Sequence, residues 1–137
     1  MYLFDTNIFL EHLLDQEQSK SCRALIKTIN QDKNVWVSLF SIHAIEAILE
    51  GRTKSNILLL EFLTHIQFHP YIQIYATTLE EEIEILKLSP QLKLDFDDSL
   101  QYYIAKKKSL TLVTLDKDFR KIKDILVLSP KQILGDL

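Results

Sequence analysis

The chain has 137 residues, 47% hydrophobic and 26% charged, with a formal net charge of -3; these values suit one folded domain with a real core and exclude a nucleic-acid binder that works by overall positive charge. A single cysteine, Cys22, excludes an internal disulfide and a cysteine metal site, and two glycines, Gly51 and Gly135, are too few for a P-loop or a G-x-G-x-x-G turn. The chain opens on Met-Tyr-Leu-Phe-Asp without the features of a signal peptide, and its most apolar segment, Ile57 to Leu63, is interrupted by Glu61 and far shorter than the ~20 residues of a membrane helix. The expected location is therefore cytoplasmic, with no membrane contact.

Tyr2, Leu3 and Phe4 form a short apolar strand that ends on Asp5, followed by Thr6, Asn7 and a helical run from Ile8 to Leu14. Asp5 has two readings: the N-cap of that helix, or a ligand group at the carboxyl end of a parallel strand, the edge where open sheets bind ligands. From Ser19 to Asn30, Cys22, Leu25, Ile26 and Ile29 recur at helical spacing, which makes Cys22 a core residue. Val35 to Val37 form a second strand. Either Ser38 or Ser41 then caps a helix reading I-H-A-I-E-A-I-L-E, on which Glu46 is either recruited to a site or placed on a solvated stripe with Glu50. Gly51 is expected to end this helix. Arg52 and Lys54 lie in a small basic loop beyond it, either solvated or in contact with phosphate.

A helix is expected from Asn56 to His65, a third strand from Ile72 to Tyr75, and an acidic helix capped by Thr78 and ended by Pro90. The next stretch, Leu94 to Phe119, reads L-D-F-D-D-S-L-Q-Y-Y-I-A-K-K-K-S-L-T-L-V-T-L-D-K-D-F. It loads a helix start with Asp95, Asp97 and Asp98, and the end of the buried strand Leu110 to Thr114 with Asp116 and Asp118. Asp95 and Asp98 resemble a capping pair, but a cap does not require three acids. Surplus carboxylates at a helix start beside an acidic strand end suit a divalent cation held by hard oxygen ligands. Arg120, Lys121 and Lys123 follow on a short helix, then a last strand from Ile125 to Leu128 and a turn from Pro130 to Leu134. The strand-helix alternation implies a parallel sheet of four to five short strands with helices on both faces.

M-Y-L-F-D-T-N at the start, S-I-H-A-I-E in the third helix, D-F-D-D-S-L-Q-Y-Y-I-A before the late strand and L-V-T-L-D-K-D-F after it resemble the PIN domain family over nearly the whole chain. The length resembles that of single-domain members such as the VapC-like toxins. The resemblance implies a three-layer α/β/α sandwich spanning residues 1–137, with Asp5, Glu46, Asp98 and Asp116 as metal-binding and catalytic acids for one or two Mg²⁺ or Mn²⁺ ions. It also implies that Thr6, Asn7 and Thr114 line the site, with Asp95 and Asp118 beside it. The implied activity is metal-dependent hydrolysis of single-stranded or loop RNA, as the toxin of a type II toxin-antitoxin pair with a cognate antitoxin, in a homodimer. Arg52, Lys54, Arg120 and Lys121 are the candidate RNA contacts. The alternative is a catalytically weak PIN module that binds RNA or a protein partner. A haloacid-dehalogenase phosphatase also carries Asp after its first strand, but needs D-x-D where this chain has D-T-N.

Overall fold

The computed structural model describes residues 1–135; residues 136 and 137, which the expected domain includes, lie outside the described residues. The elements run β1 (Tyr2–Phe4), α1 (Thr6–Leu13), α2 (Ser19–Lys27), β2 (Val35–Ser38), α3 (Leu39–Arg52), α4 (Ile57–Phe68), β3 (Ile72–Tyr75), α5 (Leu79–Leu92), α6 (Phe96–Lys108), β4 (Thr111–Val113), a 3₁₀ helix (Lys117–Lys121), β5 (Val127–Leu128) and α7 (Pro130–Leu134). The strands form one parallel sheet in the order β3-β2-β1-β4-β5. The chain builds outward from β1 to β2 and β3 on one side and returns to add β4 and β5 on the other. The direction of winding therefore reverses between β1 and β4, and in open parallel sheets the crevice beyond the carboxyl ends at such a point is where ligands bind.

The strands are short and apolar because both faces are covered. Successive side chains point to opposite faces, so Phe4 and Val113 pack with Phe9, Leu25, Ile45 and Phe62 from α1 to α4. Leu3 and Leu112 pack with Ile85, Leu100 and Ile104 from α5 and α6 on the other face. The result is a sheet between two helical layers. Phe9 anchors the first layer, with ring centroids 6.0 Å from Phe4 and 5.6 Å from Phe62, and truncating such a buried ring to alanine costs about 3–5 kcal/mol.

Two helix ends differ from the pattern the sequence suggests. Helix α3 runs through Gly51 to Arg52 and stops where the Thr53 hydroxyl and N–H both donate to the Leu49 carbonyl, at 3.0 and 2.8 Å. Gly51 has ordinary helical geometry there, so Thr53 ends the helix. Helix α5 continues past Pro90 to Leu92 and ends at Lys93, whose φ of 56° is left-handed. Pro90 lacks the N–H that the Leu86 carbonyl would accept, and both residues are exposed, so the unmade bond lies at the surface in this last turn. Helix α4 extends to Phe68 instead of His65, which buries Ile66.

Candidate metal centre

Three acids reach the crevice from three elements. Asp5 follows β1 and caps α1. Asp116 stands three residues beyond β4 and opens the 3₁₀ helix, its Oδ1 accepting the Asp118 N–H at 2.9 Å. Asp98 lies in the first turn of α6, where the Asp95 side chain is the cap and accepts the Asp98 N–H at 3.0 Å. Asp5 is thus both cap and crevice residue, and the two readings of its sequence position are compatible.

The end of β4 fixes Asp5. Its Oδ1 accepts the Thr6 N–H at 2.7 Å, and its Oδ2 accepts the Thr114 hydroxyl at 2.7 Å. The Asn7 amide donates toward Asp5 Oδ2 at 3.4 Å and to Thr114 Oγ1 at 3.3 Å, and its carbonyl accepts the Leu115 N–H. Thr114 Oγ1 also accepts the Asp116 N–H at 2.9 Å. Asn7 and Thr114 therefore tie the loop after β1 to the loop after β4.

A second buried network, not read from the sequence, sits behind Asp5. Ser41 Oγ accepts the Gln101 amide at 2.7 Å and shares hydrogen bonds with the hydroxyls of Thr6 at 2.8 Å and Ser38 at 2.9 Å, which accounts for its one proton and two lone pairs. Ser38 is the cap of α3, accepting the Ser41 N–H. The network joins α1, α3 and α6. The signal for Gln101 was its position one turn after Asp98, on the face that the structure buries.

Electrostatics concentrates where these elements meet. Carboxylate oxygens of Asp98, Asp116 and Asp118 lie within 4.8 Å of one another. Burial, then the charges of Asp116, Asp95, Asp5 and Asp97, push the Asp98 carboxyl up to about 8. Burial is also the main reason Asp5 rises to about 6; Asp97 and Asp116 add to this, and the hydrogen bonds from Thr114 and Thr6 oppose it. Asp97 is the acid that the sequence left aside. Its carboxyl is raised by burial and by Asp95 and Asp116, and its Oδ1 is buried without a partner among the described residues.

Glu46, expected as the fourth acid, is not among the carboxylates that lie within 4.8 Å of one another. With Ser38 as the cap, Ser41 faces the crevice. Glu46, five residues on at about 100° per residue, points roughly 140° around the helix from Ser41. It is half-buried, makes no hydrogen bond or ion pair among the described residues, and is not among the charges that act most strongly on Asp5 or Asp98. Arg52 ends α3, and Lys54 lies just beyond it. A fourteen-residue helix is about 21 Å long, so both lie far from the end capped by Ser38. Arg120 is exposed on the 3₁₀ helix, and Lys121 donates to the Lys93 carbonyl.

The donor set fits a hard divalent cation. Among the described residues no Lys or Arg pairs with Asp5, Asp98, Asp116 or Asp118, and Asp98 accepts no protein hydrogen bond. Two carboxylates ~4 Å apart repel by roughly 4 kcal/mol at an effective dielectric near ~20, and a cation coordinated by carboxylate oxygens removes that repulsion.

A family model described as PIN domain matches residues 2–125. No curated protein sequence matches the chain. Among solved structures, Mycobacterium tuberculosis VapC20, a sarcin-ricin loop cleaving toxin, is 14% identical, with 88% of this chain and 93% of that chain covered and a TM-score of 0.73. A toxin-antitoxin complex from Klebsiella pneumoniae is 20% identical, covering 95% and 98%, with a TM-score of 0.68. FitAcB from Neisseria gonorrhoeae is 16% identical, covering 95% and 98%, with a TM-score of 0.65. At these identities the likeness is one of fold.

Proposed function

The chain belongs to the PIN domain family, and from that premise we propose that it is a Mg²⁺- or Mn²⁺-dependent endoribonuclease, the toxin of a type II toxin-antitoxin pair. The observation that carries the reading is the convergence of Asp5, Asp98 and Asp116 on the crevice between β1 and β4, with no cationic side chain to offset them. A cation bound there supplies Lewis-acid chemistry: it lowers the pKa of a coordinated water and offsets charge on phosphoryl oxygens.

Asp98 and Asp116 are the ligand groups, with Asp118 beside them and Asp5 aligned by Thr114 and the Thr6 N–H. Asp98, whose carboxyl is pushed up by burial and the neighbouring acids, gives up any proton it holds on binding. Asp5, already hydrogen-bonded on both oxygens, is preorganised and does not reorient. No Ser or Cys is required as nucleophile, so the reaction is hydrolysis of the phosphodiester by water, leaving a 5'-phosphate and a 3'-hydroxyl. The site belongs in the cytoplasm, where an RNA substrate and an antitoxin are at hand; among the described residues no helix is long and apolar enough to cross a membrane.

Antitoxin binding and homodimerisation are proposed for the apolar surface left uncovered: Ile57 and Leu60 on α4, and Leu79, Ile83 and Leu86 on α5. Phe62, two residues beyond Leu60 on α4, is core. Light scattering at micromolar protein should give a dimer mass.

Thermal melts with EDTA and with Mn²⁺ test the metal site. Binding at a hundredfold excess over Kd stabilises by about 2.7 kcal/mol, so wild type gains several degrees in Mn²⁺ and Asp98→Asn gains little. Equal gains by both proteins would remove Asp98 from the site.

A further inference from the structure

A cleft of about 900 Å³ opens from the outer side of Asp116, between the 3₁₀ helix, β5 and α7. Thr114 and Asp116 are among its lining residues, so it adjoins the acidic crevice. Lys117, Arg120, Lys123 and Lys131 line it, and among the described residues Asp116 is the one carboxylate that does. In a chain whose net charge is -3, that is a local reversal of sign.

These four cations are exposed and take no part in an ion pair among the described residues. The lysines that close α6 contrast with them. Lys106 pairs with Asp124 at 2.6 Å, Lys107 with Glu81 at 2.9 Å, and Lys108 lies 4.5 Å from the Trp36 ring centroid. Four exposed cations without an ion pair thus share this one cleft, while others, such as Lys20, Arg52, Lys54 and Lys87, stand on other elements. Between the four cations of the cleft stand aliphatic side chains, with Ile122, Ile125 and Val127 half-buried and Leu126 exposed, and Gln18, Ser21, Ser129 and Gln132 complete the lining with neutral polar groups. Phe119 also lines it but is 1% exposed, so no aromatic face is offered for base stacking.

We propose that this cleft binds the sugar-phosphate backbone of single-stranded RNA and leads the strand from the acids at Asp116 across the end of β5. The assignment rests on the ribonuclease reading and specifies where its substrate lies. A volume of about 900 Å³ falls in the range of small-ligand cavities, ~300–1,000 Å³, so the cleft holds a short length of one strand and not a duplex. Grooves for single strands join a cationic track to surfaces that receive bases. Here that surface is aliphatic, so the cleft adds affinity and salt dependence with little sequence choice. Of the RNA contacts suggested by sequence, it retains Arg120 and adds Lys117, Lys123 and Lys131.

Fluorescence anisotropy of a labelled short single-stranded oligoribonucleotide, in EDTA and over a series of salt concentrations, tests the cleft without turnover. The double variant Lys123→Gln/Lys131→Gln should bind about tenfold more weakly at low salt, and its log Kd against log salt should flatten by about 1.4, at ~0.7 per lost phosphate contact. Lys87→Gln, which removes an exposed charge from α5, should match wild type. Mn²⁺-dependent cleavage of saturating oligonucleotide by wild type and by Lys87→Gln reads the acids separately. Unchanged affinity and slope in the double variant, with wild-type cleavage intact, would overturn the cleft and leave the ribonuclease reading standing. Absence of both binding and cleavage by wild type would overturn both. A duplex bound as tightly as the single strand, or polyglutamate bound more tightly with the same sensitivity to the double variant, would also overturn the proposal, the latter assigning the cleft to an acidic protein segment.

Discussion

Thr114 Oγ1 donates to Asp5 Oδ2 at 2.7 Å, so the acid that ends β1 is held by the residue after β4. The same oxygen accepts the Asp116 N–H, and one hydroxyl thereby sets two of the three converging acids. Both residues are buried, so neither group exchanges this bond for water.

Thr114→Val keeps the shape and removes the hydroxyl. Leaving the buried Asp5 carboxylate short of a donor should cost about 1–3 kcal/mol, seen as a lower melting temperature in EDTA. Mn²⁺ affinity should fall as well, because Asp5 and Asp116 are no longer aligned. Thr114→Ser should restore both quantities. A valine variant with wild-type stability and Mn²⁺ affinity would show that the hydrogen bond positions nothing.

The raised carboxyls give the metal-free protein a pH dependence of definite sign. An unfolded aspartate loses its proton near pH ~4, whereas folded Asp5 holds its proton to about 6 and Asp98 to about 8. Stability from these protons is complete below the unfolded value and is lost as pH rises through the folded ones. In EDTA, wild type should therefore lose melting temperature relative to Asp98→Asn as pH rises from about 4 to about 8, and Mn²⁺ should reverse that trend by replacing the proton. A gap between the two proteins that is constant with pH would contradict the assignment.

Glu46 supplies a prediction by its exclusion. Glu46→Gln should keep turnover within about twofold of wild type, while Asp98→Asn and Asp116→Asn should each lose at least about a hundredfold, a transition-state cost of about 2.7 kcal/mol or more. A Glu46→Gln loss as large as that of Asp98→Asn would return Glu46 to the catalytic acids.

Glu46 also shows where sequence reasoning ended. The acids after β1 and β4 were legible because a buried parallel strand is a continuous apolar run with a visible end. The phase of α3 was not: Ser38 and Ser41 were equally good caps, and moving the start by three residues rotates Glu46 about 60° relative to the sheet. Gly51 and Pro90 signalled ends that the chain passes through, because Thr53 closes one helix and exposure tolerates the proline in the other. The Ser41–Gln101 bond joins residues sixty apart, and the cleft gathers Lys117, Lys123 and Lys131 from three segments. Local pattern does not encode either meeting.

The most direct measurement is cleavage of single-stranded RNA by chelator-stripped protein titrated with Mn²⁺, with the product ends identified. The acids at the β1–β4 crevice predict no cleavage in EDTA, cleavage that saturates with Mn²⁺, and products bearing a 5'-phosphate and a 3'-hydroxyl. Full activity in EDTA, or products ending in a cyclic phosphate formed by the neighbouring ribose hydroxyl, would contradict it.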